Sequence, residues 1–335
     1  MQAPRFWYAP SSVASTLLLP LGAIYGCATA RRVASGRPQA HDIPVICVGN
    51  INAGGTGKTP TVIALIQYFQ SLGITPHVVS RGYGGSLNTV TQVDPVKHSA
   101  DQTGDEPLLM AAFAPTWICP NRAAGITAAS LAGADVVVLD DGHQDPSVVK
   151  DLSLVVVDAK RGFGNGRCIP AGPLREPVAA GIKRADAVIA IGSTAHQDQL
   201  IADHALPCAV VRAKVQPLQM GMDWSDGRYI AFAGIGYPEK FFDTLRGLGA
   251  DLVATHALDD HQPLSRGLMQ RLSADAQTHG AQLVTTEKDA VRLPRDFMGQ
   301  VLALPVRLEF DDISALKSVL QPVLTRLAQS DRRSS

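Results

Sequence analysis

The chain has 335 residues, 46% of them apolar, with 30 basic residues against 30 acidic ones. A length of that order suggests two domains, the apolar share supports a substantial core, and the balanced charge excludes the basic field that nucleic-acid binding needs. The five cysteines are odd in number and form no Cys-x-x-Cys, which argues against disulfide frameworks and cysteine metal clusters and fits a reducing compartment.

Residues 1–41 carry Arg5, Arg31, Arg32 and Arg37 but no Asp or Glu. Within them, residues 13–30 are mostly apolar or small, behind the aromatic run Phe6-Trp7-Tyr8. Three readings compete. Ala28-Thr29-Ala30 mimics a secretory cleavage site. A transmembrane helix is possible in length but is interrupted by Pro20, Gly22 and Gly26. An amphipathic helix lying in the membrane interface would put its aromatics at headgroup depth and its arginines on anionic lipid. The basic residues follow the apolar run, which holds the rest of the chain on the cytoplasmic side. A membrane-associated helix over residues 1–35 is therefore expected, with an ordinary core helix as the plain alternative.

Residues 43–48 read as a buried strand. Gly54-Gly55-Thr56-Gly57-Lys58-Thr59 follows, then Pro60 and the helix-spaced Val62, Ile63, Leu65, Ile66 and Phe69. Strand, glycine-rich turn and a helix opening on Lys-Thr form a phosphate-binding loop. Its backbone N–H groups curl around phosphate oxygens, and the helix N-terminus adds partial positive charge. Residues Asn52, Ala53, Gly54, Gly55, Thr56, Gly57, Lys58 and Thr59 are the expected ATP cradle. Lys58 would reach the β- and γ-phosphates, and the Thr59 hydroxyl would ligate Mg²⁺. Asn52 stands where the usual pattern has Gly, and Ala53 where the variant loops of partition and signal-recognition ATPases often have Lys.

A strand over 76–80 leads into the turn 81–85, where Arg81 and Tyr83 are candidates for ligand contacts because ligands gather at strand ends of parallel sheets. The polar stretch 86–103 has no periodicity and suggests a functional loop. Asp105 and Glu106 precede a helix over 108–113; they suit simple capping or the handling of protons or Mg²⁺. After a strand at 117–119 and a helix at 122–131, residues 136–139 form a buried strand ending in Asp140-Asp141. That is the Walker B pattern, which places a carboxylate on the Mg²⁺ shell. Only one of two consecutive strand-end residues can point directly at a metal. His143 and Asp145 read as polar loop groups.

Strands at 154–157 and 187–191 flank a Gly- and Arg-rich segment in which Asn165, Arg167, Arg175 and Glu176 are candidate substrate contacts, or parts of a plain connector. Alternation of strands and helices predicts an α/β domain over 36–215, a P-loop NTPase-like parallel sheet flanked by helices. Residues 216–228 read as a linker. Strands at 229–233, 252–255 and 282–285 with helices at 238–248 and 265–279 predict a smaller C-terminal α/β domain over 229–330, and 330–335 reads as a disordered tail.

Together these motifs resemble the tetraacyldisaccharide 4'-kinases, the lipid A 4'-kinases of Gram-negative bacteria. The residues that carry the resemblance are Val48-Gly49-Asn50 with 54–60, Ser80-Arg81-Gly82-Tyr83-Gly84, Gly104-Asp105-Glu106-Pro107, Leu139-Asp140-Asp141-Gly142, Gly164-Asn165-Gly166-Arg167, 171–177 and 285–290. The resemblance implies transfer of the ATP γ-phosphoryl group, with Mg²⁺, to the 4'-hydroxyl of a tetraacylated disaccharide 1-phosphate. This glycolipid would be met at the cytoplasmic face of the bacterial inner membrane, by an enzyme with no obligate protein partner. It also implies a cleft between the two domains, and a pairing of Asp105 with His261. The Walker B carboxylates being committed to Mg²⁺, Asp105 is the expected proton acceptor and His261 the group that orients it. The chain departs from the family pattern at His143 and Asp145, where Phe and His are expected, and at Gln262, where His is expected. A P-loop ATPase switch acting on a partner protein is the alternative, but it leaves the second domain and the Arg-rich segment without a role.

Overall fold

The computed structural model describes residues 4–9, 12–219 and 221–334; residues 1–3, 10 and 11 of the expected membrane segment, 220 of the expected linker and 335 of the tail lie outside the described residues. A 3-10 turn (Arg5–Tyr8) and two helices, α1 (Val13–Leu17) and α2 (Leu19–Ala34), open the chain. The first unit then runs β1 (Val45–Gly49), α3 (Lys58–Ser71), β2 (Pro76–Ser80), β3 (Thr91–Gln92), α4 (Ala100–Thr103), α5 (Asp105–Met110), β4 (Thr116–Ile118), α6 (Arg122–Leu131), β5 (Val136–Asp140), β6 (Leu152–Asp158), α7 (Val178–Ile182), β7 (Ala187–Ile191), α8 (Thr194–Asp203) and β8 (Ala209–Pro217). The second unit comprises β9 (Arg228–Ala233), α9 (Pro238–Gly247), β10 (Asp251–Ala257), α10 (Arg266–His279), β11 (Gln282–Thr286), α11 (Glu287–Ala290) and β12 (Val301–Leu304), followed by β13 (Val306–Phe310) and α12 (Ile313–Ser334).

The large sheet has the order β13-β8-β7-β6-β1-β5-β2-β4-β3. It is parallel from β8 to β4, and only its edge strands β13 and β3 run antiparallel. Parallel strands are covered on both faces, so each reads as an unbroken apolar run. In β1, Ile46 and Val48 meet Val62, Ile66 and Phe69 of α3, whereas Val45 and Cys47 meet Ala123 and Ile126 of α6 on the opposite face. The α/β architecture expected from the alternation is present. β1 lies between β6 and β5, so the loop after it opens at the point where chain order reverses, the usual place for a ligand.

The second sheet, β10-β9-β11-β12, is parallel throughout. Phe241, Phe242 and Leu245 of α9 cover one face and Met269, Leu272 and Ala276 of α10 the other.

Three features differ from the sequence reading. The C-terminal domain does not extend to residue 330. After β12 the chain returns to the first unit, where β13 pairs with β8 from Val306↔Pro217 to Phe310↔Ala213, and Leu316, Leu320 and Val323 of α12 join the large core. The reason is plain in retrospect: β13 alternates apolar and charged residues as an edge strand does, and α12 carries an apolar stripe that the small sheet has no open face to cover. The tail read as disordered continues α12 to Ser334. The stretch 86–103 holds β3 and α4, the latter closed by a capping box between Ser99 and Gln102.

The N-terminal helices lie against the large domain. Gly22 and Gly26 press on the 168–177 segment, and a Cβ at Gly22 would come 2.7 Å from the Cys168 carbonyl oxygen. The glycines that interrupt a membrane span are thus the ones that let α2 dock. Among the described residues no helix is long and apolar enough to cross a membrane. On the outward side Val13, Leu17, Leu21 and Ile24 remain 79%, 75%, 54% and 66% exposed.

Because α12 completes the large core, Leu320→Ala should destabilise the protein by about 2–5 kcal/mol, the cost of a fully buried leucine. Equilibrium urea unfolding checks this; a loss under about 0.5 kcal/mol would mean that α12 is an appendage.

Candidate active site

β1 ends at Gly49 and α3 begins at Lys58, with Gly57 between them at φ 100°. The left-handed dihedral is what asks for glycine; a Cβ there would also press on the tip of the Ile191 side chain, 2.5 Å from its Cδ1. Around Gly54 and Gly55 the space is open, and among the described residues no hydrogen bond takes the backbone N–H of residues 54–57. These are free donors facing a cleft of about 1020 Å³ between the two units.

The loop is held from behind. Asn50 Nδ2 donates to Gly54 O (3.3 Å) and Thr56 Oγ1 (3.0 Å). Ala53 N donates to Pro173 O (2.6 Å), and Arg175 N donates to Ile51 O (2.7 Å). Asn52, which the sequence places among the phosphate contacts, turns its amide to Gly162 O instead (3.0 Å) and braces the loop.

At the end of β5 the two aspartates divide. Asp141, at φ 52°, points its carboxylate at Arg175 Nη1 (2.8 and 2.9 Å) and Lys58 Nζ (3.7 Å). Burial works against its charge, but Lys58 and Arg175 outweigh that and hold the carboxyl down at about 2. Both of its oxygens are thereby engaged, so the metal role expected for Asp141 does not suit its geometry. Asp140 is 2% exposed; its Oδ2 accepts from Ser80 Oγ at 3.0 Å, and its Oδ1 is buried without a partner. Burial, with Glu106 and Asp141 beside it, pushes this carboxyl up to about 7.

The second unit supplies the opposite wall. Gly236, in the turn before α9, comes so close to the loop that a Cβ there would lie 3.3 Å from Gly55 N. His261, at φ 59°, is pinned by its own N–H to Gly234 O (3.1 Å), and its Nδ1 meets Asp105 Oδ2 at 2.9 Å. Asp105 is 3% exposed and does not line the cleft; His261 does. Burial alone would raise the Asp105 carboxyl, but the His261 hydrogen bond and the Lys288 and Arg292 charges hold it below the usual carboxylate range. Lys288 Nζ meets Glu106 Oε1 at 2.9 Å, and Arg292 Nε stands 3.6 Å from Asp105 Oδ2. The His261, Lys288 and Arg292 contacts all join α5 to the second unit.

The six candidate substrate contacts separate. Arg81, Tyr83 and Arg175 line the cleft. Asn165, Arg167 and Glu176 do not. Asn165 Nδ2 donates to Phe6 O (3.3 Å), Ser15 Oγ (2.9 Å) and Ala171 O (3.0 Å), and Arg167 Nη1 donates to Ser15 Oγ (3.0 Å) and Thr16 Oγ1 (3.3 Å). They tie the N-terminal segment to the loop that braces the phosphate site. Glu176 is fully buried and takes Arg184 Nη2 on both oxygens at 2.8 Å.

The family model for Tetraacyldisaccharide-1-P 4'-kinase matches residues 14–325. The chain belongs to this kinase family. A Tetraacyldisaccharide 4'-kinase of Dinoroseobacter shibae is 60% identical over 328 residues, covering 96% of this chain and 97% of the relative. One of Jannaschia sp. is 56% identical, covering 97% of this chain and 100% of the relative. A crystal structure of LpxK from Aquifex aeolicus in complex with ATP shares the fold, with a TM-score of 0.75 at 24% identity, covering 92% of this chain and 99% of that one.

In this member of the family the departures from its pattern have structural roles. His143 is buried with Nε2 at 2.9 Å from Gly181 O, and burial pushes its ring down to about 4. Asp145 takes Arg122 Nη1 at 2.5 Å, while Arg122 Nη2 donates to Asp141 O at 2.8 Å, so this pair fixes the turn after β5. Gln262 Oε1 accepts from Asp259 N (3.0 Å) and steadies the loop that carries His261. The residues that sequence reasoning missed are Ser80, Lys288 and Arg292. All three stand in or next to segments quoted for the resemblance, but nothing in their spacing announces an ionic partner in another unit.

The raised Asp140 carboxyl makes a prediction about pH. Folded, Asp140 keeps a proton between its ordinary value of about 3.9 and its raised value of about 7, where the unfolded chain releases it. Stability is therefore lost as pH rises through that window. Asp140→Asn removes the penalty, so the ligand-free variant should melt a few degrees above wild type at pH 8, with the gap closing toward pH 4. A gap independent of pH would show that Asp140 is not strained.

Proposed function

We propose that this protein transfers the γ-phosphoryl group of ATP to the 4'-hydroxyl of tetraacyldisaccharide 1-phosphate, forming lipid IVA in lipid A biosynthesis. The observation that carries the proposal is the meeting, at one cleft, of open P-loop donors and the cross-unit Asp105–His261 pair. Phosphoryl transfer demands positioning and charge stabilisation more than covalent chemistry. Lys58 Nζ stands 3.7 Å from Asp141 Oδ1, and phosphate oxygens in the loop would compete for it.

The sugar hydroxyl attacks phosphorus as the bond to ADP breaks, and its proton must leave. Asp105 is withdrawn from the cleft, with Oδ1 on Glu106 N (2.9 Å) and Oδ2 on His261. Nδ1 of His261 is taken, and Nε2 has only the Asp260 carboxylate beside it at 3.8 Å, beyond hydrogen-bond reach, so Nε2 is the nitrogen left for the hydroxyl. We therefore assign proton uptake to His261 Nε2 and orientation of the ring to Asp105, the reverse of the sequence reading. Mg²⁺ fits the residues present: the orphaned Asp140 Oδ1 and the Thr59 hydroxyl at the start of α3 would hold it. Bound there, it would neutralise charge shared by the β- and γ-phosphates. Few protein ligands are needed, because Mg²⁺ takes most of its shell from phosphates and water.

The exposed apolar residues of α1 and α2, with Arg31 and Arg32 in the last turn of α2, support peripheral attachment to the cytoplasmic face of the inner membrane, where the glycolipid acceptor lies.

Label transfer from γ-labelled ATP to the lipid disaccharide tests the reaction; ATP hydrolysis without lipid labelling would instead favour a nucleotide switch. His261→Ala and Asp105→Asn should each lower kcat about 10²–10⁴-fold with little change in the KM for ATP, and the double variant should be little worse than either, since the pair acts as a unit. An active Asp105→Asn enzyme would sink the pairing. For the membrane, Leu21→Ser with Ile24→Ser should reduce sedimentation with anionic vesicles. These exposed sites are safer than truncation, which would strip the docked face of α2.

A further inference from the structure

Arg161 lies in the turn after β6 and does not line the cleft, yet three parts of the chain converge on it. Its guanidinium carbon stands 4.8 Å from the ring centroid of Tyr8 and 4.1 Å from that of Tyr237. Tyr8 belongs to the N-terminal segment, and Tyr237 stands directly before α9 of the second unit. Among the described residues no carboxylate pairs with Arg161, so the two rings are what hold its side chain.

Each ring is set from its own side. Gly164 passes so near the N-terminal backbone that a Cβ there would lie 2.6 Å from Trp7 O. Asn165 N donates to that same oxygen, and Trp7 Nε1 donates to Pro170 O, which places Tyr8, the next residue, over Arg161. On the other side Gly236, whose Cβ would come 3.3 Å from Gly55 N, immediately precedes Tyr237. Lys240 Nζ, near the start of α9, stands 3.8 Å from Asp158 Oδ2. The other oxygen of Asp158 accepts from Lys160 N (3.0 Å) and Arg161 N (3.3 Å) and shapes the turn that carries Arg161. That turn is itself tied to the phosphate loop, since Gly162 O accepts from Asn52 Nδ2 at 3.0 Å. The N-terminal segment, the Arg161 turn, the phosphate loop and the Gly236 turn thus form one closed ring of contacts.

We infer that Arg161 is a positioning residue for ATP: gripped between Tyr8 and Tyr237, it holds the Gly236 turn over the phosphate loop, and Tyr8 makes that hold depend on the N-terminal segment. The inference rests on the ATP part of the kinase reading given above. A free arginine side chain has many rotamers, and a ring docked on its guanidinium removes much of that freedom before a second ring arrives. Tyr8 therefore pre-organises Arg161 for Tyr237 and acts on a loop that it does not touch. Phosphates bound beneath the Gly236 turn are held more tightly when that turn is fastened. By linkage, bound ATP in return tightens the docking of the N-terminal segment.

The test is the Kd for ATP, measured by calorimetric titration of the full chain with Mg²⁺ and without acceptor, for wild type, Arg161→Ala, Arg161→Lys, Tyr8→Ala, Tyr8→Phe and the double alanine variant. Arg161→Ala should weaken ATP binding about tenfold and Tyr8→Ala about fivefold, the worth of a half-buried cation–ring contact. The double variant should be no worse than Arg161→Ala by more than about twofold, because Tyr8 acts through Arg161. Tyr8→Phe, which keeps the ring, should bind ATP within about twofold of wild type. Arg161→Lys, which keeps the charge but not the flat face, should recover only part of the loss. In label transfer the loss should appear in the KM for ATP, with the KM for the lipid acceptor within about twofold. A merely structural role would lower the melting temperature of the ligand-free protein and leave the Kd alone. A Tyr8→Ala protein that binds ATP as wild type does, or losses that multiply in the double variant, would overturn the inference and leave the kinase reading standing. A wild-type protein that binds no ATP would take both down, whereas one that binds ATP but labels no lipid would take down the kinase reading alone.

Discussion

A phosphate-binding loop must leave its backbone donors unbonded, and a loop that makes few bonds of its own has to be shaped by its neighbours. That constraint organises the large domain. Asn50 and Asn52 spend their side-chain amides on carbonyl and hydroxyl groups of surrounding turns. The 162–175 segment lies along the loop and exchanges backbone hydrogen bonds with Ile51 and Ala53. Behind that segment stands the N-terminus: Trp7 O accepts from Asn165 N (2.8 Å), and Trp7 Nε1 donates to Pro170 O (3.0 Å). At Trp7 the N-terminal segment thus stands two layers behind the phosphate loop, whereas Tyr25, Thr29 and Arg32 of α2 line the cleft directly.

The second constraint is charge. Three carboxyl groups, of Glu106, Asp140 and Asp141, crowd the inner end of the cleft, and a buried carboxylate is costly unless it is paired. Asp141 and Glu106 are each met by a cation, and Asp140, which pairs with none, has its carboxyl pushed up to about 7 by burial and by those two neighbours. The cation for Glu106, Lys288, comes from the second unit, as does the imidazole for Asp105. The contact between the two units is therefore stabilised in part by the pair to which proton handling is assigned above. Arg161 adds a fastening at the far end, its guanidinium 4.8 Å from the ring of Tyr8 and 4.1 Å from that of Tyr237.

Two crossings join the units, one through 218–227 and one at Pro305, where β12 gives way to β13. The small sheet is thus an insertion between β8 and its antiparallel partner. Held to the large sheet at both ends of its chain, this unit places His261 over Asp105.

How much of this was legible in the sequence follows from what sequence patterns report. Glycine placement, apolar periodicity and strand-end aspartates are local consequences of backbone geometry. On those grounds residues 54–59, the strands 76–80 and 187–191, the helix 122–131 and Asp140 at the end of β5 could be read directly, and the structure has them in place. The division of labour between Asp140 and Asp141 could not, because it depends on a left-handed turn and on where Arg175 lies. Asn165, Arg167 and Glu176 looked like substrate contacts because polar residues in glycine-rich loops usually face solvent; here the N-terminal segment and Arg184 reach them first. The return of β13 and α12 to the large sheet was hidden for a similar reason: an amphipathic element declares that it has a buried face, but not which core will bury it. Asp105 and His261 lie 156 residues apart in the chain. Sequence by itself determined the loop, the strand ends and the candidate reactive groups, whereas only the tertiary structure decided which groups meet, because partner choice is a matter of long-range packing that leaves no local trace.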